Sequence, residues 1–163
     1  MIEEISLDTF AMANPALCSV VLWAFINGYC KNDKTGCDFL LIFLPIPLTL
    51  SGMFDSSFQG TNANTGFFEW LNRNPGISID YSRSIRDCRD LTLNGLRFAL
   101  YHELLSINDD ARLISCRHSL LKKNTISANS EIHSFINKAE RFGKWVGKVA
   151  STQIIYQSLG IKP

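Results

Sequence analysis

The residues best equipped for metal or nucleophile chemistry here are three histidines and five cysteines, and their spacing argues against both roles. His102, His118 and His133 stand far apart, without the short spacing that presents two zinc ligands on one helix face. Cys18, Cys30, Cys37, Cys88 and Cys116 form no Cys-x-x-Cys pair, and an odd number fits no closed disulfide framework. A reducing cytosol is the expected setting. No local signature marks a Cys–His nucleophile pair. Tyr101-His102-Glu103 sets three polar groups in series, but neighbours along a helix point to different faces. Asp109-Asp110 reads as turn chemistry, and no Gly-Lys-Ser/Thr follows Gly60 or Gly66 as a phosphate loop would require. The expectation is a chain that is no enzyme and carries no metal or cofactor.

Cations remain. The net charge of +1 conceals an asymmetry: residues 1–110 hold 7 Lys/Arg against 13 Asp/Glu, and residues 111–163 hold 9 against 2. Two readings stay open. The halves meet each other or water, or the basic half meets an acidic partner or nucleic acid. Arg112, Arg117, His118, Lys122 and Lys123 form a basic run without an acid, able to track phosphates without reading bases, or to sit in a solvated loop. Upstream, Arg97 and Asn94 have the donor geometry for bidentate base contacts, with Tyr101 on the same helical face. Asp87 and Asp90 lie just before them, so protein contact is the preferred use of this face over base reading.

What would position these side chains is mostly helix. A length of 163 residues implies one domain, and 46% apolar with 11% aromatic content supplies a core. Met1 to Thr9 is acidic, unlike a signal or transit peptide. The most apolar run, Phe39 to Leu50, is 12 residues broken by Pro45 and Pro47, short of the ~20 needed to span a bilayer. Asn14-Pro15 reads as an N-cap followed by proline at the first helical position, opening a central helix to about Tyr29 with Leu17, Val20, Val21, Ala24 and Phe25 inward. Phe39–Leu44 reads as a short buried helix kinked or ended at Pro45, and residues 52–66 as a polar surface loop with at most a turn of helix.

Three helices are expected next: one around Phe67–Leu71 ended by Asn74-Pro75-Gly76, one from Asp80 or Ser82 to about Arg89, and one over Leu91–Leu105 with Leu93, Leu96, Leu100 and Leu104 inward. Leu104–Ile107, Asn108-Asp-Asp110 and Ala111–Ser115 then read as a β-hairpin. Helices followed by a hairpin give the order of a winged helix-turn-helix, so residues 65–116 are expected to be winged-helix-like. Beyond a polar connector, Ile132, Phe135, Ile136, Ala139, Phe142, Val146 and Val149 recur at steps of three and four, one stripe of a helix of about five turns. Ser127, Asn129 and Ser130 are cap candidates. Arg141, Lys144 and Lys148 lie off the stripe with Trp145 beside it, which makes these four the candidate partner interface. A last helix, Gln153 to Leu159, stops at Gly160. The fold class is therefore mainly α, with one hairpin and a long amphipathic C-terminal helix.

Some strings resemble a known family. Ala139-Glu-Arg-Phe-Gly-Lys-Trp145, Ser151-Thr-Gln-Ile-Ile-Tyr156 and Leu159-Gly-Ile-Lys-Pro163 resemble the ending of the middle components of three-component ABC systems. Asn14-Pro-Ala-Leu17 with Trp23 is similar to that family's opening, and Leu40–Leu48, Trp70-Leu71 with Asn74-Pro75, and Leu104-Leu105 are similar to its interior. The polar stretch Ser56–Gly66 departs from the family pattern. The resemblance implies a cytoplasmic adaptor between an SMC/Rad50-like ABC ATPase and an effector protein in bacterial conflict with phages. It further implies possible non-specific DNA contact and no catalytic residue to carry over.

Overall fold

A computed structural model describes residues 14–116 and 130–162. Asn14 and Pro15 open the first helix, α1 (Pro15–Tyr29), as their types dictate: the Asn14 side chain accepts from the Ala16 N–H at 2.9 Å, and Pro15 takes the first helical position. This helix is the centre of the fold. Val21, Leu22, Ala24, Phe25 and Ile26 are fully buried, whereas Leu17 and Val20 are only half-buried.

After a polar turn, Asp38 caps a 3₁₀ helix (Phe39–Phe43), and α2 (Pro45–Leu50) follows directly. Pro45 ends the 3₁₀ helix, as expected, but not the apolar run. It starts a helix whose six residues are all buried. The prolines make that burial possible: the first N–H groups of a helix have no intrahelical acceptor, and Pro45 and Pro47 have none to leave orphaned. The first two residues of the run, Phe39 and Leu40, are 42% and 45% exposed.

A second 3₁₀ turn (Asp55–Phe58) and α3 (Phe67–Arg73) come next, then α4 (Ile77–Asp87) and α5 (Arg89–Tyr101). The hairpin follows as β1 (Leu105–Ile107) and β2 (Leu113–Ser115), with Ser106 opposite Ile114. The Asn108 side chain accepts from the Asp110 and Arg112 N–H groups and closes the turn. Two backbone bonds between Cys37 and Leu113, 2.8 and 2.9 Å, tie β2 to the segment after α1. Beyond residue 129, α6 (Glu131–Val146) is capped by Ser130, and α7 (Thr152–Ser158) completes the described elements.

Three expectations about faces and ends are corrected. On α5 the buried residues are Thr92, Gly95, Leu96 and Ala99; Leu96 is inward as expected, Leu100 and Leu104 pack half-buried against the core, and Leu93 is half-buried outside that set. Gly95 sets that rotation, since a Cβ there would lie 2.6 Å from the Cys18 Cβ of α1. On α6 the buried set is Ile136, Ala139, Phe142, Gly143, Trp145 and Val146, and Ile132 at the first turn is 44% exposed. The helix ends at Val146, so Lys148 and Val149 lie beyond it. Finally, α4 starts at Ile77, before the polar residues expected to open it.

Among the described elements the most extensive contact is α1 against α6, followed by α1 against α5. Glycine permits the first. A Cβ at Gly143 would sit 2.0 Å from the Phe25 carbonyl oxygen, and one at Gly28 would sit 2.1 Å from the Glu140 carbonyl oxygen. Backbone therefore meets backbone from both sides. Next to this crossing, Glu140 of α6 pairs with Lys31 beyond α1 and with Lys144 one turn on. Partial burial works to raise the Glu140 pKa, but Lys31 and Lys144 outweigh it and hold the carboxyl below its ordinary value.

These contacts set stability expectations readable by urea denaturation. Gly143→Ala forces a methyl into main chain and should cost about 3 kcal/mol or more; an unchanged midpoint would contradict the close crossing. Phe142, fully buried, should lose about 3–5 kcal/mol on truncation to Ala. Ala111 sits in the hairpin turn at φ 57°. Ala111→Gly relieves left-handed strain at some entropic cost and should stabilise by about 0.5–1 kcal/mol. Since Glu140 is depressed in the folded state, its contribution is present above the ordinary value near 4.5 and is lost as pH falls through the folded pKa. Glu140→Gln should therefore be less stable than the parent at pH 7, with the gap closing in acid.

Candidate interaction surface

The basic edge of α6 turns inward on the chain itself. Trp145 is fully buried, stacked on Phe58 with ring centroids 5.9 Å apart and planes 17° from parallel. Its indole N–H donates to the Asn62 carbonyl at 2.9 Å. Arg141 donates to the Thr61 carbonyl and hydroxyl at 3.1 and 3.0 Å, and Lys138 pairs with Asp55. Lys144 is held by Glu140. Of the expected interface residues Arg141, Lys144, Trp145 and Lys148, only Lys148 is exposed. Trp145 is a core residue. What Lys138, Arg141 and Trp145 bind is the polar stretch 55–62, with Arg73 of α3 adding a bond to the Gly60 carbonyl.

The nucleic-acid candidates are placed as follows. Arg97 is exposed on α5 and donates to Asn94 at 3.1 Å. Arg112 is half-buried and donates to the Gly36 carbonyl at 3.3 Å, so part of its donor set already serves the hairpin anchor. Arg117, His118, Lys122 and Lys123 lie outside the described residues.

Among the described residues, no three of His, Cys, Asp and Glu gather as a metal site would require. Burial pushes the Cys18 thiol up to about 12, and Cys37 rises for the same reason. Both stay protonated near neutral pH, which suits packing and not nucleophilic attack. Cys116 is exposed and, like the others, free of disulfide.

Tertiary structure instead assembles a hollow that the spacing of residues did not reveal. Leu40, Phe43, Ile85, Tyr156 and Ile161 line a cavity of about 240 Å³, with Arg86, Arg89 and Lys162 at its edge. Three separate stretches of chain converge there. Tyr156 fastens two of them by donating its hydroxyl to the Leu40 carbonyl, and Thr152 donates to Asp38 at 3.1 Å. Gly160 places the last wall. At φ 70° it closes α7 with its own N–H on Gln157 and the Ile161 N–H on Tyr156, the reciprocal end that swings the next apolar residue back over the helix. Ile161 and Lys162 are thereby brought beside α4. The sequence signals available were the helix stop at Gly160 and the arginines on either side of the α4–α5 break.

No described helix is long and apolar enough to cross a membrane. No curated protein matches the chain, and no solved structure does. The family model for Middle Component 3 of the ABC-three component (ABC-3C) system matches residues 4–163. That span takes in both the opening Asn14-Pro15 and the closing Gly160 segment, and the chain belongs to this family of ABC-3C middle components.

Proposed function

We propose that the chain is a non-catalytic adaptor subunit that links an SMC/Rad50-like ABC ATPase to an effector protein in a cytoplasmic anti-phage defence complex. Membership of the middle-component family over residues 4–163 carries this reading. Two features of the fold agree with it. The internal bonds of Trp145, Arg141 and Lys138 fasten the stretch 55–62 to α6. Large apolar side chains that the fold leaves in solvent, such as Phe39, Leu40 and Met53, offer material for protein contact. The rival is a winged-helix regulator that binds nucleic acid through Arg97, Arg112, Arg117, Lys122 and Lys123.

Co-expression of the tagged chain with its neighbouring genes, whose products are tested for an SMC/Rad50-like ATPase and an effector, discriminates the two. An adaptor should recover both proteins in one peak on size-exclusion chromatography, and omitting the chain should separate them. Recovery of neither protein, together with duplex DNA binding that falls steeply with salt, would instead establish the regulator.

A further inference from the structure

Beyond naming the chain an adaptor, the structure assigns a docking site: we propose that the cavity between the 3₁₀ helix, α4 and the end of α7 takes a partner-protein segment in which one large apolar side chain is flanked by Asp or Glu. The size of the hollow comes first. About 240 Å³ is below the ~300–1,000 Å³ of pockets that enclose a whole small ligand, and it suits a single anchor side chain. Its walls are Leu40, Phe43, Ile85, Ile161 and Tyr156, whose hydroxyl already donates to the Leu40 carbonyl, so the group that enters is apolar. The apolar surface continues outward through Phe39, whose ring meets Phe43 edge-on at 6.0 Å.

Charge then fixes what lies on either side of the anchor. Arg86 and Lys162 edge the cavity, are exposed, and have no acid partner among the described residues; Arg89 touches Asp90 at 3.6 Å. Elsewhere on the described surface, several cations are already spent within the chain, Lys31, Lys138 and Lys144 on carboxylates and Arg141 on Thr61. An apolar hole with unspent cations around it is complementary to an apolar side chain between carboxylates. A nucleic-acid backbone would satisfy the cations and leave the hole empty. The site is also built before the partner arrives, since the Tyr156–Leu40 and Thr152–Asp38 bonds and the Gly160 turn hold its walls. Little ordering cost remains for binding.

This inference rests on the adaptor reading, and the test separates the two. Displayed random peptides are panned on the full chain and counter-screened on Arg86→Glu/Lys162→Glu. Enriched peptides should carry a large apolar residue beside Asp or Glu, weaken as salt rises, and bind the variant at least roughly tenfold more weakly. Both substituted side chains are exposed, so the variant should melt with the parent; if it does not, Arg86→Gln/Lys162→Gln replaces it with the same expected direction. Absence of enrichment, enrichment without acids, or equal binding to the variant overturns the site. So does competition of the peptides by duplex DNA, or a self-association of the chain that the variant abolishes, which would give the site to nucleic acid or to a second copy. In the co-expressed complex, a parent chain that recovers neither protein sinks the adaptor reading, whereas a parent and variant that recover both equally sink only the docking site.

Discussion

Two glycines, one on each helix, let α1 and α6 cross with main chain against main chain, and the rest of the fold is hung on that crossing. Glycine inside a helix costs helical stability because it orders a freer chain. Here the cost is offset by approach: with no Cβ in the way, Phe25, Ala139, Phe142 and Val146 are all completely buried. Dispersion falls off steeply with separation, so holding the helices apart by a methyl would loosen contacts along their whole length. The second helix docked on α1 repeats the device, Gly95 of α5 against Cys18. A helix that buries nearly its entire circumference must receive close neighbours on several sides, and small residues at the crossings supply the room.

From this centre the aromatic side chains spread outward. Phe142 faces Trp70 edge-on at 5.4 Å, and Trp70 leans on Trp145 at 6.2 Å. Trp145 in turn covers Phe58 and binds the Asn62 carbonyl. The polar stretch Ser56–Gly66 is thus tied to the core. Buried Phe58 anchors it, and Arg141 and Trp145 of α6 donate to its Thr61 and Asn62 carbonyls. The asymmetry of charge is partly resolved in the same place, where Lys138 of the basic half meets Asp55 of the acidic half. Cations used this way stabilise the fold modestly and are withdrawn from recognition. That separates Lys138, Arg141 and Lys144 from Arg86 and Lys162, which the fold leaves available.

Much of the architecture was legible without coordinates because it is local. Asn14-Pro15 opening a helix, Asn74-Pro75-Gly76 ending one, Asn108-Asp-Asp110 turning a hairpin and Gly160 stopping α7 each act over a few residues. The mainly helical class with one hairpin followed from such signals and from the three-and-four spacing of α6. The resemblance that pointed to the family rested on contiguous strings, and the family match spans residues 4–163.

Tertiary structure alone decided which side of each element is inside. Apolar spacing placed Leu93 inward, and the fold chose Gly95 and Ala99, because closeness to α1 outweighs side-chain hydrophobicity at a backbone contact. Periodicity put Trp145 beside the stripe as a possible anchor for a partner, and the fold buried it against Phe58, which stands 87 positions earlier in the sequence. The apolar cavity was invisible for a related reason. Leu40, Ile85, Tyr156 and Ile161 share no spacing, and only the packing of α7 on the 3₁₀ helix brings them together. Local preference depends on neighbours in the chain and can be read from it. Burial depends on neighbours in space, and those exist only once the glycine crossing has set the distance between helices.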